Sequence, residues 1–90
     1  MAYSVQLSPH TVRQYKKLNP PIQQDVQRGI DTLQYSPQSG PKIKRLKGRL
    51  HEYFRLRIGD YRVVYTVASR DHVVYIDYLQ HRKDIYRDID

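Results

Sequence analysis

The stretch from Tyr53 to Tyr65, YFRLRIGDYRVVY, restricts what this chain can become more than any other. Phe54, Leu56 and Ile58 alternate with Tyr53, Arg55 and Arg57, the period of two of a strand with one buried face. Gly59-Asp60 breaks the pattern, and Tyr61 to Val67 resumes it with β-branched and aromatic residues. Two such runs across a Gly-Asp pair predict a β-hairpin on a two-residue turn, with Gly supplying a positive φ. The register follows: Ile58 faces Tyr61, Arg57 faces Arg62, Leu56 faces Val63, Arg55 faces Val64 and Phe54 faces Tyr65. Directly opposed residues share a face of the sheet. Phe54, Leu56, Ile58, Tyr61, Val63 and Tyr65 therefore form one apolar face, and Arg55, Arg57 and Arg62 gather on the other. Like charges opposed across a ladder cost up to about 1 kcal/mol. A fold tolerates that where an anion is to be bound; the plainer alternative is a solvated face with arginines spread apart.

The rest of the chain supplies a cover for the apolar face. Tyr3 to Leu7 alternates and predicts a first strand. Ser8-Pro9 has the form of a helix start, Ser as N-cap and Pro in the first turn, with Val12, Tyr15 and Leu18 following at helical spacing. Asn19-Pro20-Pro21 ends that helix and opens a second, in which Ile22, Val26, Ile30 and Leu33 form an apolar stripe. Gly29 inside it costs about 1 kcal/mol of helix propensity and points to a close approach between helix and sheet. Ser36 to Pro41 is a loop. Ile43, Leu46 and Leu50 mark a short strand and a loop, Glu52 to Ile58 and Tyr61 to Ala68 the hairpin. Val73 to Leu79 is a last strand, apolar enough for an interior place in the sheet. His81 to Tyr86 is expected to form a short helical tail and Arg87 to Asp90 to fray. The order reads β-α-α-β-β-β-α: one α+β domain over residues 1–90, two helices on one face of a small, mainly antiparallel sheet. The opposite, arginine-bearing face is expected to be open.

Charge narrows the function. The net charge is +7 on 90 residues. Lys42, Lys44, Arg45, Lys47, Arg49, Arg55, Arg57 and Arg62 stand against only Glu52 and Asp60 in the same stretch, a density that suits a polyanionic partner. The chain has no cysteine, which removes disulfides and thiol nucleophiles. No signal peptide and no apolar run of membrane-spanning length is visible, so a soluble, cytoplasmic protein without a membrane partner is expected. His10, His51, His72 and His81 lack ligand-like spacing, no carboxylate pair suggests a two-metal site, and no glycine-rich phosphate loop exists. No cofactor is expected.

Arginines, a histidine and tyrosines remain. They suffice for cleavage of RNA by its own 2′-hydroxyl, which needs a clamped phosphate, a neutralised charge, a base and an acid. Planar arginine forks bind phosphate and stabilise that charge. His81 and Arg82 follow the last strand and are expected at the rim of the arginine face. Tyr86, four residues after Arg82, is expected above it on a helical turn, to stack on a base or move a proton. Plainer readings exist for each: a surface or cap histidine, a cation favouring a helix end, a tyrosine packed on the sheet.

The LRIGDYRVVY core, followed by His81-Arg82 and Tyr86-Arg87, resembles the RelE/ParE superfamily of bacterial toxins, and the likeness extends over nearly the whole chain. The resemblance implies a type II toxin–antitoxin toxin and, for RelE-type members, a metal-independent endoribonuclease that enters the ribosomal A site and cuts translated mRNA. It implies catalytic roles for Arg55, Arg62, Arg82 and Tyr86. At Tyr53 the sequence departs, since those members carry a second lysine there. An arginine stays protonated and is a poor base, so His81 is the expected base. Lys44, Arg45, Lys47, Arg49 and Arg57 are expected to contact RNA phosphates. The resemblance also implies a cognate antitoxin, held in a hetero-oligomer with an acidic segment over Lys42 to Arg62, and repression of the pair's own operon through the antitoxin. ParE-type members share the fold and inhibit DNA gyrase. A non-catalytic basic RNA-binding or adaptor domain is the third reading.

Overall fold

The structure, a computed structural model, describes residues 2–87 and residue 89. Strand β1 (Ser4–Leu7) leads into helices α1 (Pro9–Lys16) and α2 (Pro20–Thr32), followed by strands β2 (Ile43–Arg45), β3 (Tyr53–Ile58), β4 (Tyr61–Ala68) and β5 (Val73–His81). The five strands lie in the order β1-β5-β4-β3-β2. Only β1 pairs in parallel, against β5; the other ladders are antiparallel. The α+β architecture agrees with the sequence, and β5 has the interior place its apolar run calls for.

The elements arise where local chemistry puts them. The Ser8 side chain accepts from the Thr11 backbone N–H at 3.1 Å, and Pro9 takes the first turn of α1, where its missing N–H is not needed. The hairpin register between β3 and β4 is the one deduced from Gly59-Asp60, with Gly59 at φ 57°. Helix α2 buries Val26, Ile30 and Leu33 against Phe54, Leu56, Val63 and Tyr65 of the sheet, and Val74, Ile76 and Leu79 complete that core. A Cβ on Gly29 would lie 2.6 Å from the Ile58 side chain. The glycine is therefore the close approach that its helix-breaking cost suggested.

Three features depart from expectation. Strand β5 carries a bulge: Val64 pairs with Tyr78 and Tyr65 with Ile76, leaving Asp77 as the extra residue. A bulge shifts the alternation by one, so Val74 and Ile76 before it share the helix-bearing face with Leu79 and His81 after it. The tail is no α-helix; it makes a short 3-10 turn at Arg82–Asp84, and Ile85 is already extended. Nor is the second face of the sheet open. Ile89 is 1% exposed and packs there with Leu46 and Val64, with Leu50, Tyr53, Tyr78 and Ile85 around them. Fraying at the end of the chain is thus corrected at Ile89, where an isoleucine has apolar surface to bury. Arg87 is exposed at a turn, and Asp88 and Asp90, the rest of that expectation, lie outside the described residues.

Candidate nucleic-acid interface

Strands β2, β3 and β4 build the face opposite the helices. Lys44 pairs with Arg55, and Arg57 with Arg62. Two adjacent cation pairs stand on one side of the sheet, flanked by Val64 and, further along β3, by Tyr53. Each pair sets like charges across the ladder, a placement that suits an anionic ligand.

Hydrogen bonds to backbone carbonyls help to orient the two β3–β4 arginines. The Arg62 guanidinium donates to the carbonyls of Gly59 at 2.9 Å and Tyr61 at 3.0 Å, so it folds towards the hairpin turn, and the residue is only 6% exposed. Arg55 donates to the Lys42 carbonyl at 2.9 Å. These contacts fix both guanidinium groups before any ligand arrives, which lowers the ordering cost of binding a phosphate. Arg57 and Lys44 remain exposed beside them.

Other expected residues are more widely placed. Arg45 lies over the Phe54 ring at 5.6 Å and donates to the His51 carbonyl, so the pleat has turned it to the helix-bearing face. Lys47 and Arg49 are exposed on the loop and the 3-10 turn at Gly48–Leu50, at the rim. Arg82 sits by the hairpin tip, its backbone N–H donating to the Asp60 carbonyl at 2.8 Å and its side chain 3.6 Å from the Asp60 carboxylate. With both groups well exposed, that ion pair holds it only weakly. Tyr86 is 80% exposed. It lies beyond the 3-10 turn rather than stacked above Arg82 on a helix.

His81 requires a correction of placement. It pairs with Tyr61, their rings meet edge to face at 5.2 Å, and its Nδ1 accepts from the Lys83 backbone N–H. That is the helix-bearing face, opposite the arginines. The Asp77 bulge is the physical reason, because an unbroken alternation from Ile76 would have put His81 among the arginines.

The bulge brings a group that the sequence reading passed over. Asp77 faces Tyr53, and hydrogen bonding to this carboxylate, with its charge and burial, pushes the Tyr53 hydroxyl pKa up. Burial, and then the charge of Asp77, raises Tyr78 as well. One signal was available: a single acid inside the otherwise apolar run VVYIDYL. Among the described residues, no three His, Cys, Asp or Glu side chains come together as metal ligands would, and no helix is long and apolar enough to cross a membrane.

A model of the ParE toxin family of type II toxin–antitoxin systems matches residues 5–86. The protein named toxin RelE1 of Methanocaldococcus jannaschii is 33% identical over 89 residues, 97% of this chain and 98% of that one. In the RelBE2 toxin–antitoxin complex of Mycobacterium tuberculosis, one chain superposes with a TM-score of 0.81 at 28% identity, covering 91% of this chain and all of its own. In the RelE–RelB complex of Pyrococcus horikoshii the values are 0.80 and 29%, over 94% of this chain and 100% of the other.

Proposed function

Because the chain belongs to the RelE/ParE superfamily of type II toxin–antitoxin toxins, we propose that it acts as a RelE-type endoribonuclease on translated mRNA. The observation that carries this reading is the pair of cation pairs, Lys44 with Arg55 and Arg57 with Arg62, on one face. A scissile phosphate seated there is held by Arg55 and Arg62, whose forks stabilise the charge that grows on its oxygens. The 2′-oxygen attacks phosphorus and the P–O5′ bond breaks, leaving a 2′,3′-cyclic phosphate and a 5′-hydroxyl. With His81 on the other face, the 2′-hydroxyl proton passes to Asp77 by way of Tyr53. Tyr86, exposed and unhindered, supplies the proton that the 5′-oxygen takes up. Arg57, Lys44, Lys47 and Arg49 hold flanking phosphates. Arg82 moves from Asp60 onto the RNA.

A cognate antitoxin is the toxin's partner, in keeping with relatives solved as toxin–antitoxin complexes. Its acidic segment covers Lys42 to Arg62 and competes with RNA for these cations. Mapping mRNA 5′ ends in a cell-free translation reaction, with and without ribosomes, tests the function. Cuts within codons on translated message, lost in Arg62→Ala and reduced in Asp77→Asn, are expected. Uncut message in every reaction would sink the reading.

The family match favours a second reading, inhibition of DNA gyrase, since the matching model is that of ParE toxins. A supercoiling assay with the purified protein separates the two: inhibition there, with message left whole, establishes it.

A further inference from the structure

The bulge in β5 does more to the basic face than bring Asp77 onto it. In an unbroken strand Tyr75 and Tyr78, three residues apart, would point to opposite faces of the sheet. The extra residue at Asp77 puts both on one face, because Tyr75 lies opposite Thr66 and Tyr78 opposite Val64. Thr66 in turn lies opposite Tyr53, and Val64 opposite Arg55. Arg55, Val64 and Tyr78 therefore form one row across three strands, with Tyr78 about 10 Å from Arg55 at the usual strand spacing. A nucleotide covers that span between its phosphate and the far edge of its base. Thr66 and Val64 are two residues apart on β4, so the tyrosines opposite them stand about 7 Å from each other. Two rings at that separation leave room for one aromatic plane, at the roughly 3.4 Å of stacked bases from each.

Neither ring is spent on the main core. Although β5 is an interior strand, Tyr75 is 41% exposed, with the polar Gln6 and Thr66 paired to either side of it. Tyr78 is half-buried beside the smaller apolar cluster, and the His10 ring meets it edge to face at 6.1 Å. The start of α1, which carries His10, is itself tied to the bulge, the Ser8 N–H donating to the Ile76 carbonyl at 2.9 Å. Tyr78 is thus oriented before any ligand arrives, which lowers the ordering cost of stacking on it. We propose that Tyr75 and Tyr78 are a stacking site for one unpaired base of the RNA strand whose phosphate Arg55 holds. The inference rests on the ribonuclease reading for the identity of that strand, and it adds a contact made to a base by its face rather than to a phosphate by its charge. Duplex RNA keeps its bases stacked on one another, so the site selects single strands.

Anisotropy titrations with a short single-stranded RNA, its riboses 2′-O-methylated against cleavage, test the site. A companion set carries one abasic ribose, moved position by position along the strand. For the native protein, one position in the set should cost roughly five- to a hundredfold in affinity, the weight of one base on an aromatic ring. Tyr75→Ala, which removes an exposed ring, should cost a similar factor on the full RNA and nothing further on that abasic strand. The salt dependence should stay as steep as in the native protein, since no cation is removed. Tyr78→Leu, which keeps the apolar bulk, should behave in the same way. Circular dichroism must show each variant folded; if Tyr78→Leu is not, Tyr75→Ala decides. A folded Tyr75→Ala that binds every strand as the native protein does would overturn the site, and so would an abasic set bound as tightly as the full RNA. In either case binding that still falls with salt leaves the phosphate-holding face standing. A native protein that binds none of the strands overturns the site, whatever happens to translated message. Base-dependent binding with translated message left whole keeps the site and removes the ribonuclease reading.

Discussion

Arg57 and Arg62 stand opposite each other, and a sheet left to its own stability would not choose that pair. Arg62 donates to two carbonyls among its contacts, and a neutral residue at position 57 would take one like charge from beside it. Arg57→Thr is expected to raise the melting temperature by a few degrees, corresponding to about 0.5–1 kcal/mol, while weakening cleavage. Gly29 carries the opposite instruction. A methyl group there meets Ile58 well inside contact distance, so Gly29→Ala should lower stability by about 1–2 kcal/mol in thermal denaturation despite its better helix propensity. Tyr65 is wholly buried, stacks on Phe54 and donates to the Pro37 carbonyl at 2.6 Å. Burial pushes its pKa far up, against a smaller lowering by Arg55. The unfolded chain gives up this proton near the ordinary value of about 10 and the folded one does not. The neutral phenol therefore contributes its full share below that pH, and stability falls as pH rises beyond it. Denaturant titrations from pH 9 upward should show the decline, and Tyr65→Phe should flatten it. The arginine opposition and the Gly29 contact were both legible in the sequence, because Gly59-Asp60 fixed one register and the helical stripe fixed one face. The side to which His81 points was not, since it depends on a bulge that leaves only one acid in an apolar run as its trace.

Among the elements, those closed by local chemistry followed the sequence and those closed by distant contacts did not. Ser8 and the Asn19-Pro20-Pro21 break act within a few residues of themselves, and α1 and α2 begin where they dictate. Ser8 does more than cap: its hydroxyl also donates to the Asp77 carbonyl, and Thr11 beside it is fully buried and donates to the Ile76 carbonyl at 3.3 Å. The start of α1 is thus fastened to the bulge of β5. Ser8→Ala should cost about 1–2 kcal/mol, towards the upper end for a cap, as read from the denaturant midpoint. The tail failed to become a helix because Ile85 and Ile89 found apolar surface at Leu46 and Val64, residues that no local pattern connects to them. Strand alternation accounts for Leu46 and Val64 facing that way, but only three dimensions bring Ile89 between them.

For the whole molecule, the sheet divides the labour. One face, with α1 and α2, holds the main core; the other sets two cation pairs beside a smaller apolar cluster. If Lys44, Arg55, Arg57 and Arg62 each meet a phosphate of a single strand, the logarithm of affinity for RNA should fall with the logarithm of salt by about 0.7 for each. Removing Lys44 should therefore flatten the slope by about that amount, which anisotropy titrations of a short uncleavable RNA would measure. An unchanged slope would take Lys44 off the RNA. The parallel ladder between β1 and β5 has a consequence of another kind. Ser4 pairs with Val73 and Leu7 with Ile76, so the first strand made must wait for the last. While β5 is still inside the exit tunnel of the ribosome that is building it, β4 is paired on its β3 side alone and α1 lacks the strand to which it is fastened. On the proposed ribonuclease reading, the toxin thus stays unfinished, and its basic face unassembled, until β5 has left the tunnel.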